Sequence, residues 1–279
     1  MIVKMLFEAT ARLFSNHRSL VSSVIFALLS VNSLTVLAQK DIFPPSDALL
    51  AQPSQVVLLD HQLQLIYPVP VRLDQVLNDA QQYNHLKGKD LNFHEGYKLF
   101  NLSQQHRVDT LLASVHNRLQ SLMKDSELTH AATALQEVLN SNHFAYRVNI
   151  NLDLDAVRLK PELNPSLPGD YALRQVKRDD QVYVLGLVVP QTVMFVAEQT
   201  VADIMTQAQI FDVADSSRVW VIAPNGEAHL VGYRLWNDQQ TSVLPGSILF
   251  VGFNSHCASL QHLERDIVTL LGMIKDSIK

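Results

Sequence analysis

The chain has 279 residues, of which 47% are hydrophobic and 18% are charged, and its formal net charge is −5 at pH 7. This composition is that of a globular protein long enough for two modest domains, and it excludes a predominantly disordered chain. The acidic balance argues against nucleic acid as a partner, because neutralising phosphate groups requires a basic surface.

The first 38 residues read as a secretory signal peptide. Three basic residues precede an apolar stretch at 20–37, and Ala38 ends a small-residue cleavage site. An uncleaved anchor is the alternative, since the stretch approaches the ~20 residues that span a bilayer, although serines weaken it. We expect a periplasmic protein that begins at Gln39. Loss of three basic residues and one acidic residue would move the formal charge from −5 to −7.

Cys257 is the single cysteine. It lies far beyond the predicted cleavage point, so it offers neither a lipid-attachment site there nor an internal disulfide. After the leader, charge or proline interrupts each apolar run within about ten residues, so we expect no membrane span after cleavage.

The first half begins with an extended, proline-containing lead-in at 39–54. Two β-type runs at 56–59 and 63–67 are separated by three polar residues, which predicts a hairpin. Apolar residues then recur at helical spacing, which predicts a short amphipathic helix at 72–82.

A helical hairpin is predicted at about 107–141. Two apolar stripes at helical spacing flank the short link 124–126, which forces the two helices to run antiparallel. Strict alternation of apolar and polar residues then predicts one strand at 146–157, with a dry face and a polar face.

Strands and one helix follow in the second half. Asn225-Gly226 lies between two β-type runs, which is a strong hairpin signal. The predicted elements are strands at 182–189 and 193–197, a helix at 200–208, strands at 219–223 and 228–235, and a strand at 248–253. An amphipathic helix with seven aliphatic side chains on one face is predicted at 259–279.

The two halves share a pattern. The segment 167–173 matches 244–250, each with a Pro-Gly pair before the last strand, and the two short helices align. Two strands, a helix and further strands ending in this segment is the order of a β-grasp unit. We therefore predict an α+β fold with two β-grasp domains in tandem, at 55–176 and 177–256. The helical hairpin is inserted in the first, and a C-terminal amphipathic helix occupies 257–279.

Several motifs resemble those of GfcC-type capsule and exopolysaccharide proteins. They are Asn164-Pro165, Pro-Gly-Asp-Tyr at 168–171, Val-Tyr-Val-Leu-Gly at 182–186, Val-Trp-Val-Ile-Ala-Pro-Asn-Gly at 219–226, Trp236-Asn237 and Pro245-Gly246. The resemblance covers roughly 56–279. It implies a periplasmic protein with tandem β-grasp domains, related to the ligand-binding β-grasp domains of polysaccharide export channels. The segment 174–179 lacks the family's proline, so we expect a less rigid join between the domains.

Catalytic and metal-binding signatures are absent from the sequence. The eleven histidines form no His-Glu-x-x-His motif, and no serine lies in a Gly-x-Ser-x-Gly context. We therefore expect no metal, no cofactor and no catalytic nucleophile.

Asp153 and Asp155 are the one suggestive carboxylate pair. On a strand, two residues at i and i+2 share one face about 7 Å apart, within the range of inverting glycosidases. A solvated strand face is the alternative, and such a face could also hydrogen-bond sugars.

Two further places are candidate ligand or partner contacts. Arg118 lies along an otherwise apolar helix stripe, where a charge must be paired, face a cleft or snorkel at the edge. Tyr233, Arg234 and Trp236 bring aromatic faces and a guanidinium together near a strand end, although core packing explains the aromatic residues equally well.

Three functions remain open. The first is a non-enzymatic accessory protein in capsule or exopolysaccharide assembly and export, with polysaccharide or export-machinery proteins as partners. The second is a periplasmic enzyme that processes the exported glycan. A component of an export channel is the third, and it is disfavoured because no lipoprotein cysteine or spanning C-terminus is predicted. The resemblance to channel subunits favours the C-terminal helix as a docking or self-association element.

Overall fold

A computed structural model describes residues 52–276 and 278. The predicted signal peptide and most of the lead-in lie outside these residues. The described part consists of two five-stranded mixed sheets covered by helices, which confirms the predicted α+β class.

The helices and strands follow one another in a similar order in the two halves. In the first half they are β1 (Ser54–Leu58), β2 (Leu63–Tyr67), β3 (Val71–Arg72), α1 (Leu73–Leu86), β4 (Lys98–Asn101), α2 (Gln105–Leu122), α3 (Thr129–Asn140), β5 (Arg147–Val148), α4 (Leu154–Leu159), β6 (Ser166–Leu167) and β7 (Gly169–Arg174). In the second half they are β8 (Gln181–Gly186), β9 (Gln191–Met194), α5 (Val201–Met205), β10 (Arg218–Ile222), β11 (Ala228–Gly232), β12 (Ile248–Val251) and α6 (Ala258–Gly272).

Both five-stranded sheets have the same strand order. The first is β2-β1-β7-β4-β5 and the second is β9-β8-β12-β10-β11. In each, the opening hairpin pairs its first strand in parallel with the last strand of that half. The two segments that match in sequence thus form equivalent strands, β7 and β12. Strands β3 and β6 form a separate two-stranded sheet.

The predicted helical hairpin is confirmed as α2 and α3, and it joins β4 to β5. The corresponding connection in the second half is the tight turn between β10 and β11. The buried apolar side chains of the hairpin belong to the same core as the second sheet and α6. A separate core lies between the first sheet, α1 and α4. The insertion from the first half therefore covers the sheet of the second half.

The strand predicted at 146–157 is wrong. Only Arg147–Val148 pairs with β4, and the chain then runs unpaired until α4 begins. Asp153 is the N-cap of α4, and its carboxylate accepts a hydrogen bond from the backbone N–H of Asp155 at 3.0 Å. The capping aspartate stabilises a helix start, and the spacing of Leu154 and Val157 suits a helix as well as a strand.

The C-terminal helix ends at Gly272 rather than continuing to 279. Beyond it, residues 273–275 join the segment between α3 and β5. Ala145 N–H donates to the Met273 carbonyl at 3.1 Å, and Lys275 N–H donates to the His143 carbonyl at 2.8 Å. These bonds tie the chain after α6 to the first half.

The apolar face of α6 is buried inside the chain itself. Its large side chains pack against the second sheet and the helical hairpin; they are Leu263, Ile267, Val268, Leu270 and Leu271. The protein's own core therefore covers the apolar face that the sequence left to be covered either by the chain itself or by a partner. Within residues 52–276 and 278, no helix has the length and apolar character to cross a membrane.

Polar contacts fix the position of α6. Glu264 accepts from the Trp220 indole N–H at 2.5 Å and from the Phe253 backbone N–H at 2.9 Å, which anchors the helix to the second sheet. Asp266 forms an ion pair with Arg118 of α2. Helix α6 thus joins the second sheet to the helical hairpin.

Candidate functional site

A cavity of about 390 Å³ lies between the two five-stranded sheets. Strands of both sheets, the link 175–179 and the end of α6 all contribute to its wall. Its volume is within the range of about 300–1,000 Å³ that is typical of small-molecule sites. Because both halves form the wall, neither half contains this cavity alone.

Three cations project from neighbouring strands of the first sheet into this cavity. Lys98 of β4 lies directly opposite Arg174 of β7, and Arg147 of β5 pairs with Phe100, two residues further along β4. All three side chains therefore share one face of the sheet. Like charges at opposing positions destabilise a sheet, so this arrangement needs compensation from elsewhere.

Backbone carbonyl oxygens supply most of that compensation. Lys98 Nζ donates to the Ile274 carbonyl at 2.8 Å, and Arg174 Nη1 donates to the Lys275 carbonyl at 3.0 Å. Arg147 donates to three carbonyls, of Gly272 at 3.2 Å, Tyr97 at 3.1 Å and Pro224 at 2.7 Å. The Gly272 carbonyl lies at the C-terminal end of α6, where unpaired carbonyls carry partial negative charge.

Burial lowers the pKa values of Lys98 and Arg147. Burial, followed by the repulsion of Arg147 and Arg174, lowers the pKa of Lys98 from 10.5 to about 7, and Asp276 only partly opposes this. Burial alone lowers the pKa of Arg147 to about 10. The charge of Lys98 therefore responds to small changes near neutral pH.

The cavity has an excess of positive charge, although the whole chain is acidic. Five basic side chains and three carboxylates line it: Lys98, Arg147, Arg174, Lys177 and Arg178 against Asp60, Asp179 and Asp276. Each carboxylate already accepts a hydrogen bond, from Gln175 N–H at 2.8 Å, from the Tyr183 hydroxyl at 2.7 Å and from Arg174 at 3.3 Å respectively. The cavity wall thus attracts anions.

A second cavity of about 330 Å³ adjoins the other side of Arg147. Amide and acidic side chains line it, including Asn149, Asn151 and Asp153. His94 Nε2 lies 3.9 Å from the Asp153 carboxylate. Arg147 is therefore in the wall between a cation-rich cavity and an amide-rich cavity. Across the described part of the chain, no three His, Cys, Asp or Glu side chains are placed to hold a metal ion.

The structure separates the predicted carboxylate pair. Asp153 lies at the second cavity, whereas Asp155 is exposed in the first turn of α4 and lines neither cavity. The two residues lie at a helix start, so the strand geometry that suggested an inverting glycosidase does not occur.

Arg118 lies away from both cavities. It pairs with Asp266 of α6, and both side chains are about a third exposed, at 33% and 37%. Its position on the apolar stripe is explained by this contact between α2 and α6.

Tyr233, Arg234 and Trp236 belong to one turn after β11 and line neither of the two cavities. Tyr233 is buried, and the Arg234 guanidinium lies 5.5 Å from the centre of its ring. Arg234 Nε also donates to the Ser216 carbonyl at 2.6 Å, while Trp236 is 77% exposed. Tyr233 and Arg234 therefore stabilise the turn, and both Arg234 and Trp236 are exposed to solvent.

Sequence reasoning missed the cluster of Lys98, Arg147 and Arg174. Lys98 is a charge inside the β-type run 97–100, and Arg174 ends the run 171–174. The rule applied to Arg118, that a charge on an apolar element must be paired or face a cleft, would have selected both.

Comparisons with known proteins agree with this architecture. Residues 54–178 match the family model described as "Capsule biosynthesis GfcC, N-terminal", and residues 189–273 match "Capsule biosynthesis GfcC C-terminal". The uncharacterized protein YjbG of Escherichia coli strain K12 is 30% identical over 152 residues, which cover 54% of this chain and 60% of YjbG. The match thus spans less than two thirds of that relative. The two family models together cover most of the chain, which therefore belongs to the GfcC family of capsule biosynthesis proteins.

Proposed function

We propose that this chain is an exported, non-enzymatic accessory protein of capsule or exopolysaccharide assembly, and that the cationic cavity is its ligand-binding site. Membership of a capsule biosynthesis family supports the pathway. The observation that carries the site is a cavity with excess positive charge, built jointly by both halves of an acidic chain.

We interpret each half as a β-grasp domain. The shared strand order supports this interpretation, since each sheet places its first strand in parallel beside its last and a helix follows its opening hairpin. A tandem of such domains places a cleft between two sheets, where small-molecule sites commonly occur. Polysaccharide or export-machinery proteins are the proposed partners.

The pathway and the site are tested by complementation. We expect deletion of the gene to reduce surface polysaccharide, and the parent protein to restore it. Arg147→Gln should fail to restore it, because it removes the guanidinium shared by both cavities. Arg265→Gln changes an exposed arginine on α6 and should restore it fully. Immunoblots and circular dichroism establish that both variants accumulate folded. Full polysaccharide output with a folded Arg147→Gln protein would refute the site.

Export is tested on the protein itself. We propose a periplasmic location with cleavage near Ala38, which rests on the leader's sequence pattern. N-terminal sequencing of the protein from a periplasmic fraction should begin at Gln39. Protein that retains Met1 would contradict this cleavage.

A polysaccharide-processing enzyme is the competing function. Asp153 and His94 at the second cavity are the groups that favour it. We expect purified protein to leave the polysaccharide of its own host unshortened in size-exclusion chromatography. Cleavage that Asp153→Asn abolishes would replace the accessory function with an enzymatic one.

A further inference from the structure

We propose that the cationic cavity binds an oxyanion, a carboxylate or phosphate group of an acidic glycan, and that binding takes up a proton on Lys98. The proposal rests on the proposed function only in taking the anion to belong to a glycan. Binding of the anion itself depends on the cavity alone.

The hydrogen bonds that the cations make inside the protein do not neutralise them. Lys98 and Arg147 donate to neutral carbonyl oxygens, which satisfy hydrogen bonds without cancelling a full positive charge. Asp276 is the carboxylate that pairs with Arg174, and it is shared with His143 at 3.2 Å. With Lys98 protonated, the five basic and three acidic side chains leave two positive charges in excess.

The hydrogen-bond donors in the cavity favour an oxyanion as the ligand. A guanidinium has five N–H groups in a planar fork that matches the oxygens of carboxylate and phosphate. Three hydrogen bonds engage Arg147 among the described residues, so donors remain for a ligand. Charge-assisted hydrogen bonds of this kind are about twice as strong as neutral ones, so an oxyanion is favoured over a neutral hydroxyl.

Anion binding is linked to the protonation of Lys98. The charged groups that face Lys98 are Arg147 of β5, Arg174 of β7 and Asp276 beyond α6. Burial and the two guanidinium groups lower the pKa of Lys98 to about 7, and an anion beside it would raise the pKa again. As the pH rises above 7, the free protein progressively loses this proton, so binding that raises the pKa of Lys98 takes a proton up.

The expected pH dependence follows from this linkage. At pH 6, Lys98 is largely protonated with and without ligand, so its protonation contributes little to the change of affinity below that pH. Between pH 6 and pH 8 the affinity should fall by about tenfold. Binding requires Lys98 to be protonated, and the proton concentration falls as the pH rises above the pKa of Lys98 in the free protein.

Calorimetric titration of the full-length protein tests the proposal with three probes. Tetragalacturonate supplies carboxylates, glucose 1-phosphate supplies a phosphate, and cellotetraose is the neutral control. At least one acidic probe should bind more than tenfold more tightly than cellotetraose, and whichever binds identifies the source of the oxyanion. At pH 7.5, the observed heat should depend on the ionisation enthalpy of the buffer in the sense of proton uptake. This measurement requires no variant.

Three variants then locate the site. Arg147→Gln should weaken binding of the acidic probe by tenfold or more, and Arg265→Gln, on the exposed face of α6, should leave it unchanged. Lys98→Arg keeps a positive charge between pH 6 and pH 8, so the binding of this variant should lack the pH dependence of the parent. Thermal melts establish that each variant is folded.

Several outcomes would overturn the proposal. They are equal binding of acidic and neutral probes, no binding of either acidic probe, and acidic-probe binding without proton uptake at pH 7.5. The proposed function is tested independently, by measuring polysaccharide output after gene deletion. An unchanged output with intact oxyanion binding would refute the pathway and leave the binding site standing.

Discussion

Removal of residues 258–279, which comprise α6 and the chain after it, should unfold the protein. If α6 were only a docking element, the truncated protein would stay folded. The apolar face of this helix is an integral part of the core. Among the described residues of this segment, six aliphatic side chains are no more than 4% exposed: Leu263, Ile267, Val268, Leu270, Leu271 and Ile274.

The magnitude follows from their burial. A fully buried aliphatic side chain contributes about 1.5–3 kcal/mol, so these six contribute about 9–18 kcal/mol as an upper estimate. The total stability of a folded domain is only about 5–15 kcal/mol. The truncation would also expose the parts of the second sheet and the helical hairpin that α6 covers. The remaining chain should therefore not fold.

Circular dichroism and chemical denaturation of the truncated protein are the assays. A second experiment compares single substitutions at two neighbouring positions on α6. Leu270→Ala removes a fully buried side chain and should lower the free energy of unfolding by about 2–5 kcal/mol. Thr269→Ala changes an exposed residue and should cost less than about 0.5 kcal/mol.

One result would refute this reasoning. If the truncated protein unfolds cooperatively, stays soluble and fails to support polysaccharide production, the helix is a docking element and its burial contributes little to stability.

Three further predictions concern single residues. Lys98→Met should exceed the parent in stability by about 1–3 kcal/mol at pH 6, measured by denaturant titration. That advantage should shrink as pH rises from about 7 toward 10.5. In this range Lys98 is protonated in the unfolded parent but not in the folded parent, so the stability of the parent increases with pH. In Gly186→Ala the new methyl would lie 2.4 Å from a carbonyl oxygen, so thermal melts should show a loss of several kcal/mol; Gly88→Ala has open space and should lose about 1–2 kcal/mol. A double-mutant cycle on Arg118 and Asp266 should give a coupling of about 0.2–1 kcal/mol, since both side chains are partly exposed, and a larger value would contradict this account.

The sequence alone determined the elements whose signals are local. Alternation and turn residues predicted the hairpins β1–β2 and β10–β11, and helical periodicity predicted α1 and the pair α2–α3. The repeated Pro-Gly strand and the motif order identified the family. These features can be recognised in the sequence because each turn, periodic pattern or motif spans only a few consecutive residues.

Tertiary structure decided the rest, because those features depend on residues far apart in the chain. The alternating pattern at 146–157 fits a strand, yet the cap formed by Asp153 begins a helix there. The amphipathic face of α6 showed that the helix must be covered, but only the folded chain shows that its own core covers it. The cationic cavity is the clearest case. Lys98, Arg147 and Arg174 come from three strands and depend on carbonyls at the end of α6, more than 90 residues beyond the nearest of them. No local pattern encodes that meeting, and the pairing of β4 with β5 and β7 creates it.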